Sequence, residues 1–141
     1  MAKKTRTTLK VWHWNANGLR CRLALLQQHV QAADPPPDII MVQETHLEKK
    51  PTLPGYRTHA TPPSTRTSSK GAAQGVCTFV RKDLTIIPHD RFLGQDTALE
   101  MCAAEVVVGK KKQTTVYAIN VYSNPQYRSQ RFKAMFHKTL R

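Results

Sequence analysis

The feature that most limits what this chain can fold into is a strand, a helix and a second strand within its first 45 residues. Residues 9–14 form a short run of β-favouring side chains that includes Val11, Trp12 and Trp14. Gly18 closes the turn after it. Over residues 19–31, Leu19, Leu23, Leu26 and Val30 recur at helical spacing. Pro35, Pro36 and Pro37 end that helix, because proline cannot continue it and pushes the residue before it to extended geometry. Residues 39–42 then read as a near-continuous apolar strand, the pattern of a strand buried on both faces. Strand, helix, strand at this spacing is a βαβ unit. The fold class is therefore α/β.

The remainder gives it α+β character. Residues 46–74 are polar and rich in Thr, Ser, Pro and Gly, which predicts a long loop. Four strands of antiparallel type follow, over residues 75–81, 84–88, 99–108 and 114–121. Lys110, Lys111 and Lys112 stand between the last two, as a solvated hairpin tip would. A final helix is predicted over 126–140, with Phe132, Met135, Phe136 and Leu140 as its apolar stripe. Asn124 and Pro125 supply its cap and first-position proline.

A chain of 141 residues, 40% of them hydrophobic, suits one domain with a core: a basic tail at 1–8 and a folded unit over 9–141. No apolar run reaches the roughly 18 residues of a membrane span. The basic start lacks the unbroken apolar stretch of a secretory signal, since Lys10 and His13 interrupt it. Cys21, Cys77 and Cys102 are far apart and form no CxxC pair. They read as small apolar groups in a reducing compartment, so an intracellular place, nuclear or cytoplasmic, is expected. The charge is lopsided: 22 Lys and Arg against 9 Asp and Glu, formally +13. Basic side chains gain affinity by releasing counterions from phosphates, so nucleic acid is the expected partner. No segment joins a basic face to a strong apolar face, which argues against a membrane surface.

Three strand ends carry polar groups suited to metal or phosphate. Glu44 follows the buried strand, between Gln43 and Thr45. A carboxylate there can hold a hard cation such as Mg²⁺, which takes only one or two protein carboxylates and keeps several waters. Alone, such a glutamate equally reads as a solvent-facing strand end. Asn15 and Asn17 lie in the turn after the first strand; their amides suit a phosphate, a metal-bound water or plain turn geometry. Tyr122 and Asn124 end the last strand, and both side chains can meet a phosphodiester. Asn124 alternatively caps the helix. His46 is the histidine nearest these groups and reads as loop surface. No P-loop, GxGxxG or Ser-His-Asp signature occurs.

Taken together, strand-Trp14-Asn15-x-Asn17-Gly18-Leu19-Arg20, strand-Gln43-Glu44-Thr45 and Asn120-Val121-Tyr122-Ser123-Asn124-Pro125 resemble the endonuclease/exonuclease/phosphatase superfamily. Within it, the chain looks like the apurinic-type endonuclease domain of a non-LTR (LINE-type) retrotransposon. Gln43-Glu-Thr-His-Leu47, Pro54-Gly-Tyr56 and the strand from Gly75 to Val80 support that branch. The resemblance implies a two-sheet α/β sandwich of the DNase I-like type and Mg²⁺- or Mn²⁺-dependent phosphodiester hydrolysis on DNA. It assigns Asn15 to organising the metal site, Glu44 to the metal and Tyr122 to the scissile phosphate. Asn17 stands where repair endonucleases carry aspartate, and Asn and Pro of the family's Tyr-x-Pro-Asn are exchanged here. The family's Gly-Asp-x-Asn and Ser-Asp-His, which carry the water-activating residue and the histidine, are absent from the chain. The resemblance therefore implies the N-terminal half of an endonuclease domain, poorly active or inactive alone, with a reverse transcriptase downstream. It also implies that the half would contribute one sheet with an exposed apolar face, and hence tend to self-associate. A non-catalytic, basic nucleic-acid-binding remnant and a repair endonuclease or phosphatase of the same superfamily are the alternatives.

Overall fold

The computed structural model describes residues 8–47, 49–60, 67–68, 71–72, 75–89, 99–109 and 111–123. Strand β1 (Val11–Asn15) and strand β2 (Ile39–Gln43) pair in parallel, with Val11 opposite Ile39 and Asn15 opposite Gln43. Helix α1 (Leu23–Ala32) connects them, which completes the expected βαβ unit. The helix starts later than its periodicity predicts. Leu19 is fully buried in the preceding loop, where its N–H donates to the Thr45 carbonyl at 2.9 Å. The Arg22 N–H closes a tight turn on the Leu19 carbonyl at 2.9 Å, and only then does the helix run.

The region 46–74, expected as loop, contains a strand. Residues Tyr56–Ala60 form β3, paired antiparallel with β6 (Val76–Arg81). The correction has a tertiary cause. The Tyr56 hydroxyl donates to the Pro37 carbonyl at 2.6 Å, and partner strand β6 supplies the ladder that local composition does not announce. A short hairpin, β4 (Thr67–Ser68) with β5 (Gly71–Ala72), lies in the same region. Strands β7 (Thr85–His89), β8 (Leu99–Val108) and β9 (Thr114–Ser123) follow closely where the sequence places them. Lys111 and Lys112 are exposed between β8 and β9. The expected helix at 126–140, Asn124, Lys110 and nearly all of the basic tail lie outside the described residues.

The strands form two layers. Sheet 1 has the order β1-β2-β6-β3, and sheet 2 the order β7-β8-β9. Alternation along β2 and β6 sorts the side chains between two faces. Ile40, Val42, Cys77 and Phe79 pack with Leu26 and Val30 of α1, and with Trp12 and Trp14 at the margin. Ile39 and Val80 turn the other way and pack with Val106 and Ala118 of sheet 2. Full burial of one such side chain stabilises by about 1.5–3 kcal/mol. This arrangement corrects the expectation of a single sheet with a bare apolar face. The chain supplies strands to both sheets, and their inner faces cover each other. The large apolar side chains left exposed are elsewhere, among them Ile87, Tyr117 and Ile119 on the outer face of sheet 2.

One polar group spans the layers. Asn120 of β9 is 1% exposed, and its Nδ2 donates to the carbonyls of Val42 at 3.1 Å and Cys77 at 2.9 Å. Its oxygen accepts from Gln43 Nε2 at 3.4 Å. Buried amides are tolerated when satisfied in this way, and their geometry then fixes how the layers sit. Of the three thiols, Cys77 and Cys102 are buried, as expected of small apolar groups, whereas Cys21 is exposed. No helix among the described residues is long and apolar enough to cross a membrane.

Candidate phosphodiesterase site

Both parallel strands deliver their carboxyl ends to one end of the sandwich, and their loops run side by side. The Ala16 N–H donates to the Gln43 carbonyl at 2.9 Å, Gly18 to Glu44 at 2.8 Å and Leu19 to Thr45 at 2.9 Å. This zipper explains the sequence of turn residues. Asn17 takes φ +45° and Gly18 φ +101°, left-handed values that suit asparagine and glycine. Asn15 Oδ1 accepts the Asn17 N–H at 3.2 Å, and the Arg22 guanidinium bonds the carbonyls of Ala16 and Asn17. Asn15 and Asn17 are exposed and Arg22 holds their turn from behind.

Glu44 also has positive φ, at +51°, as does His46. A non-glycine residue there costs free energy and persists only where its surroundings hold it. Three contacts do so: Gly18 bonds the Glu44 carbonyl, the Thr45 N–H donates to the Gly75 carbonyl at 3.1 Å, and Tyr122 reaches the side chain. The Tyr122 hydroxyl donates to Glu44 Oε1 at 2.5 Å. Beside it, Gln43 Nε2 donates to the Val121 carbonyl. The end of β9 in sheet 2 is thereby fastened to the end of β2 in sheet 1.

Of the residues expected at the site, Asn15, Asn17, Glu44 and Tyr122 lie at this one end. Asn15 is the register partner of Gln43, next to Glu44. Asn124 lies outside the described residues.

Three neighbours were given no role at the site by the sequence. Gly75, at φ +105°, leaves no room for a side chain, since a Cβ would stand 2.3 Å from Thr45 Oγ1. Its N–H donates to Glu100 Oε2 at 2.7 Å. Burial pushes the Glu100 carboxyl above its ordinary value, and the Gly75 N–H pulls it back in part. Glu100 is also the register partner of Tyr122 across β8 and β9. Asn120 is the third. Parity carried the missing signal: Glu100 has the same inward phase as Cys102 and Val106, and Asn120 the same phase as Ala118 and Tyr122. A polar group at an inward position of an apolar strand marks either a functional site or a satisfied interior bond.

The Endonuclease/Exonuclease/phosphatase family matches residues 12–140, nearly the whole chain. The chain belongs to that family. Its fold agrees. The endonuclease domain of TRAS1, a telomere-specific non-LTR retrotransposon, superposes with a TM-score of 0.59 over 93% of this chain, at 14% identity. The chain spans 52% of that structure, about half its length. No curated protein matches the sequence. In the family's two-sheet α/β fold, the described residues supply strands to both sheets and bring the ends of β1, β2 and β9 to one place.

Proposed function

We propose that this chain is one half of a metal-dependent, DNA-nicking endonuclease domain of a retrotransposon. The observation that carries the reading is the bond from Tyr122 to Glu44, which unites two motifs far apart in sequence at the carboxyl ends of the strands. The formal charge of +13 supplies the affinity that a polyanionic substrate needs. The fold likeness to a non-LTR retrotransposon endonuclease supports the source, and a downstream reverse transcriptase belongs to the same proposal.

The residues fit a hard cation in part. Glu44 has one oxygen engaged by Tyr122 and a second with no hydrogen bond among the described residues. Mg²⁺ or Mn²⁺ accepts a single carboxylate with several waters. Among the described residues, no group of three His, Cys, Asp or Glu converges. A bound cation there would neutralise charge on the phosphate and leaving oxygen. Glu44 would hold it, Asn15 orders the turn beside it, and Tyr122, whose one hydroxyl proton goes to Glu44 here, would turn that proton to the phosphate once the cation takes the carboxylate. Asn17 and Asn124 are proposed to touch phosphate oxygens.

The proposed second half would have a place to add. Strand β9 packs over β2 and β6, while β8 packs over β6 and β3. Among the described residues, the edge strands β1 and β9 therefore lie on the same side of the sandwich. A groove of about 350 Å³ runs along β1, lined by Trp12, Trp14, Leu25 and His29. An added strand beside β1 would seat its side chains there. Removing members of a catalytic unit costs far more than additively, so the chain alone is expected to nick poorly.

The test is nicking of supercoiled plasmid by the chain alone and joined to the C-terminal half of a retrotransposon endonuclease domain, with Mg²⁺ or EDTA. Mg²⁺-dependent nicking by the joined form, lost in Glu44→Ala, supports the proposal. DNA affinity that survives both Glu44→Ala and EDTA, with a steep salt slope and no nicking by the joined form, means that binding alone remains.

A further inference from the structure

The motifs at the strand ends give Glu100 no role, yet its contacts lead through Gly75 and Thr45 to Glu44. Glu100 lies on the face of β8 that meets sheet 1. Its Oε2 accepts the Gly75 N–H at 2.7 Å. The Gly75 carbonyl accepts the Thr45 N–H at 3.1 Å, and Thr45 adjoins Glu44 at its left-handed φ of +51°. Gly18 holds the same turn from the other side, at 2.8 Å on the Glu44 carbonyl. Removing either restraint lets the turn relax towards a commoner backbone conformation. Glu100 is also in register with Tyr122, so one residue ties the Glu44 turn to the strand that presents the phenol. A neutral side chain would fill the position without the cost of desolvating a charge. A carboxylate adds a charge-assisted bond about twice as strong as a neutral one.

We infer that Glu100 is a positioning residue: through Gly75 and Thr45 it holds Glu44 within reach of Tyr122. The cation arm of its test rests on the proposed reading of Glu44, whereas the backbone arm does not.

The experiment uses the full chain and the variants Glu100→Leu, Glu100→Gln and Glu44→Gln. Amide hydrogen exchange is read without metal, and Mn²⁺ affinity from water proton relaxation. In Glu100→Leu, exchange at Thr45 is expected to rise at least about tenfold while Val42 stays protected. Mn²⁺ affinity is expected to fall about tenfold with little change in the urea midpoint, the size of effect that residues behind a metal ligand exert. Glu100→Gln keeps an acceptor oxygen and is expected to recover most of both. Unchanged exchange at Thr45 in Glu100→Leu overturns the inference. So does an equal rise at every amide that Glu100→Gln fails to rescue, because Glu100 is then a general stabiliser. If Glu100→Leu does not fold, the Gly75 amide proton of the wild-type chain decides: a shift that follows a carboxyl titration supports the bond, and a flat one refutes it. If the wild-type chain and Glu44→Gln bind Mn²⁺ equally, the cation reading of Glu44 fails, and exchange at Thr45 alone judges Glu100.

Discussion

The hydroxyl of Tyr122 donates a hydrogen bond to Oε1 of Glu44, joining the last strand of sheet 2 to the loop after the second strand of sheet 1 across 78 residues of sequence. Tyr122→Phe removes the donor and keeps the ring. The expected loss is about 1 kcal/mol of stability, measured by urea denaturation. In the joined domain, the nicking rate should fall about 10²-fold if, as proposed, the hydroxyl turns from Glu44 to the charge developing on the phosphate. Nicking at the wild-type rate would show that the phenol takes no part.

Asn120→Leu should be among the most damaging conservative changes in the chain. It keeps the volume but removes the bonds that Nδ2 adds to the carbonyls of Val42 and Cys77, beyond the ladder between β2 and β6, and takes an acceptor from Gln43 Nε2. Each buried hydrogen bond lost costs about 1 kcal/mol, so a loss of roughly 2 kcal/mol in urea is expected. A neutral result would mean that the interface between the sheets repacks or admits water.

Gly75→Ala tests the strained turn. The added methyl would stand 2.3 Å from Thr45 Oγ1, at a φ of +105° that disfavours side chains. The expected cost is about 1–3 kcal/mol. In NMR spectra, the amide shifts of Glu44 and Thr45 should move most, because the Thr45 N–H bonds the Gly75 carbonyl.

Glu100→Gln should alter how stability depends on pH. The folded state raises the Glu100 pKa above its ordinary value, chiefly by burial. A group with a raised folded pKa contributes stability that is complete below its unfolded pKa and is lost as pH rises through the folded one. Relative to Glu100→Gln, the wild-type chain should therefore weaken as pH rises from about 4.5 towards neutrality. Parallel denaturation curves at pH 4 and 7 decide it. A constant difference between the two proteins would refute the shift.

The thiols should separate by reactivity. Cys21 is exposed, whereas burial pushes Cys102 up to about 11 and Cys77 further still. Thiolate is the reactive form, so a disulfide reagent at pH 8 should titrate Cys21 quickly in the native chain, and Cys77 and Cys102 only in denaturant. Fast native labelling of Cys77 or Cys102 would contradict the packing of the two sheets.

The βαβ unit was legible because its signals are local. Leucines at helical spacing, three prolines and an apolar run place β1, α1 and β2 within a few residues of where they lie. Strand β3 was not legible. Its residues, Tyr-Arg-Thr-His-Ala, carry no clear alternation, and they form a strand because β6 offers them an edge. The start of α1 moved for a similar reason: Leu19 belongs to the helical pattern but is spent in the loop, against Thr45.

By itself, the sequence determined the parallel unit, the strand-ending groups Asn15, Glu44 and Tyr122, and the basic charge that favours a polyanion. These depend on spacing and composition, which a linear chain displays. Only the tertiary structure decided that both sheets are present, that Tyr122 reaches Glu44, and that Glu100 and Gly75 stand behind it. Such contacts depend on strand register and on the way one sheet lies over another. Their energies come from burial and hydrogen bonds between residues far apart in the chain, and no local pattern encodes that distance.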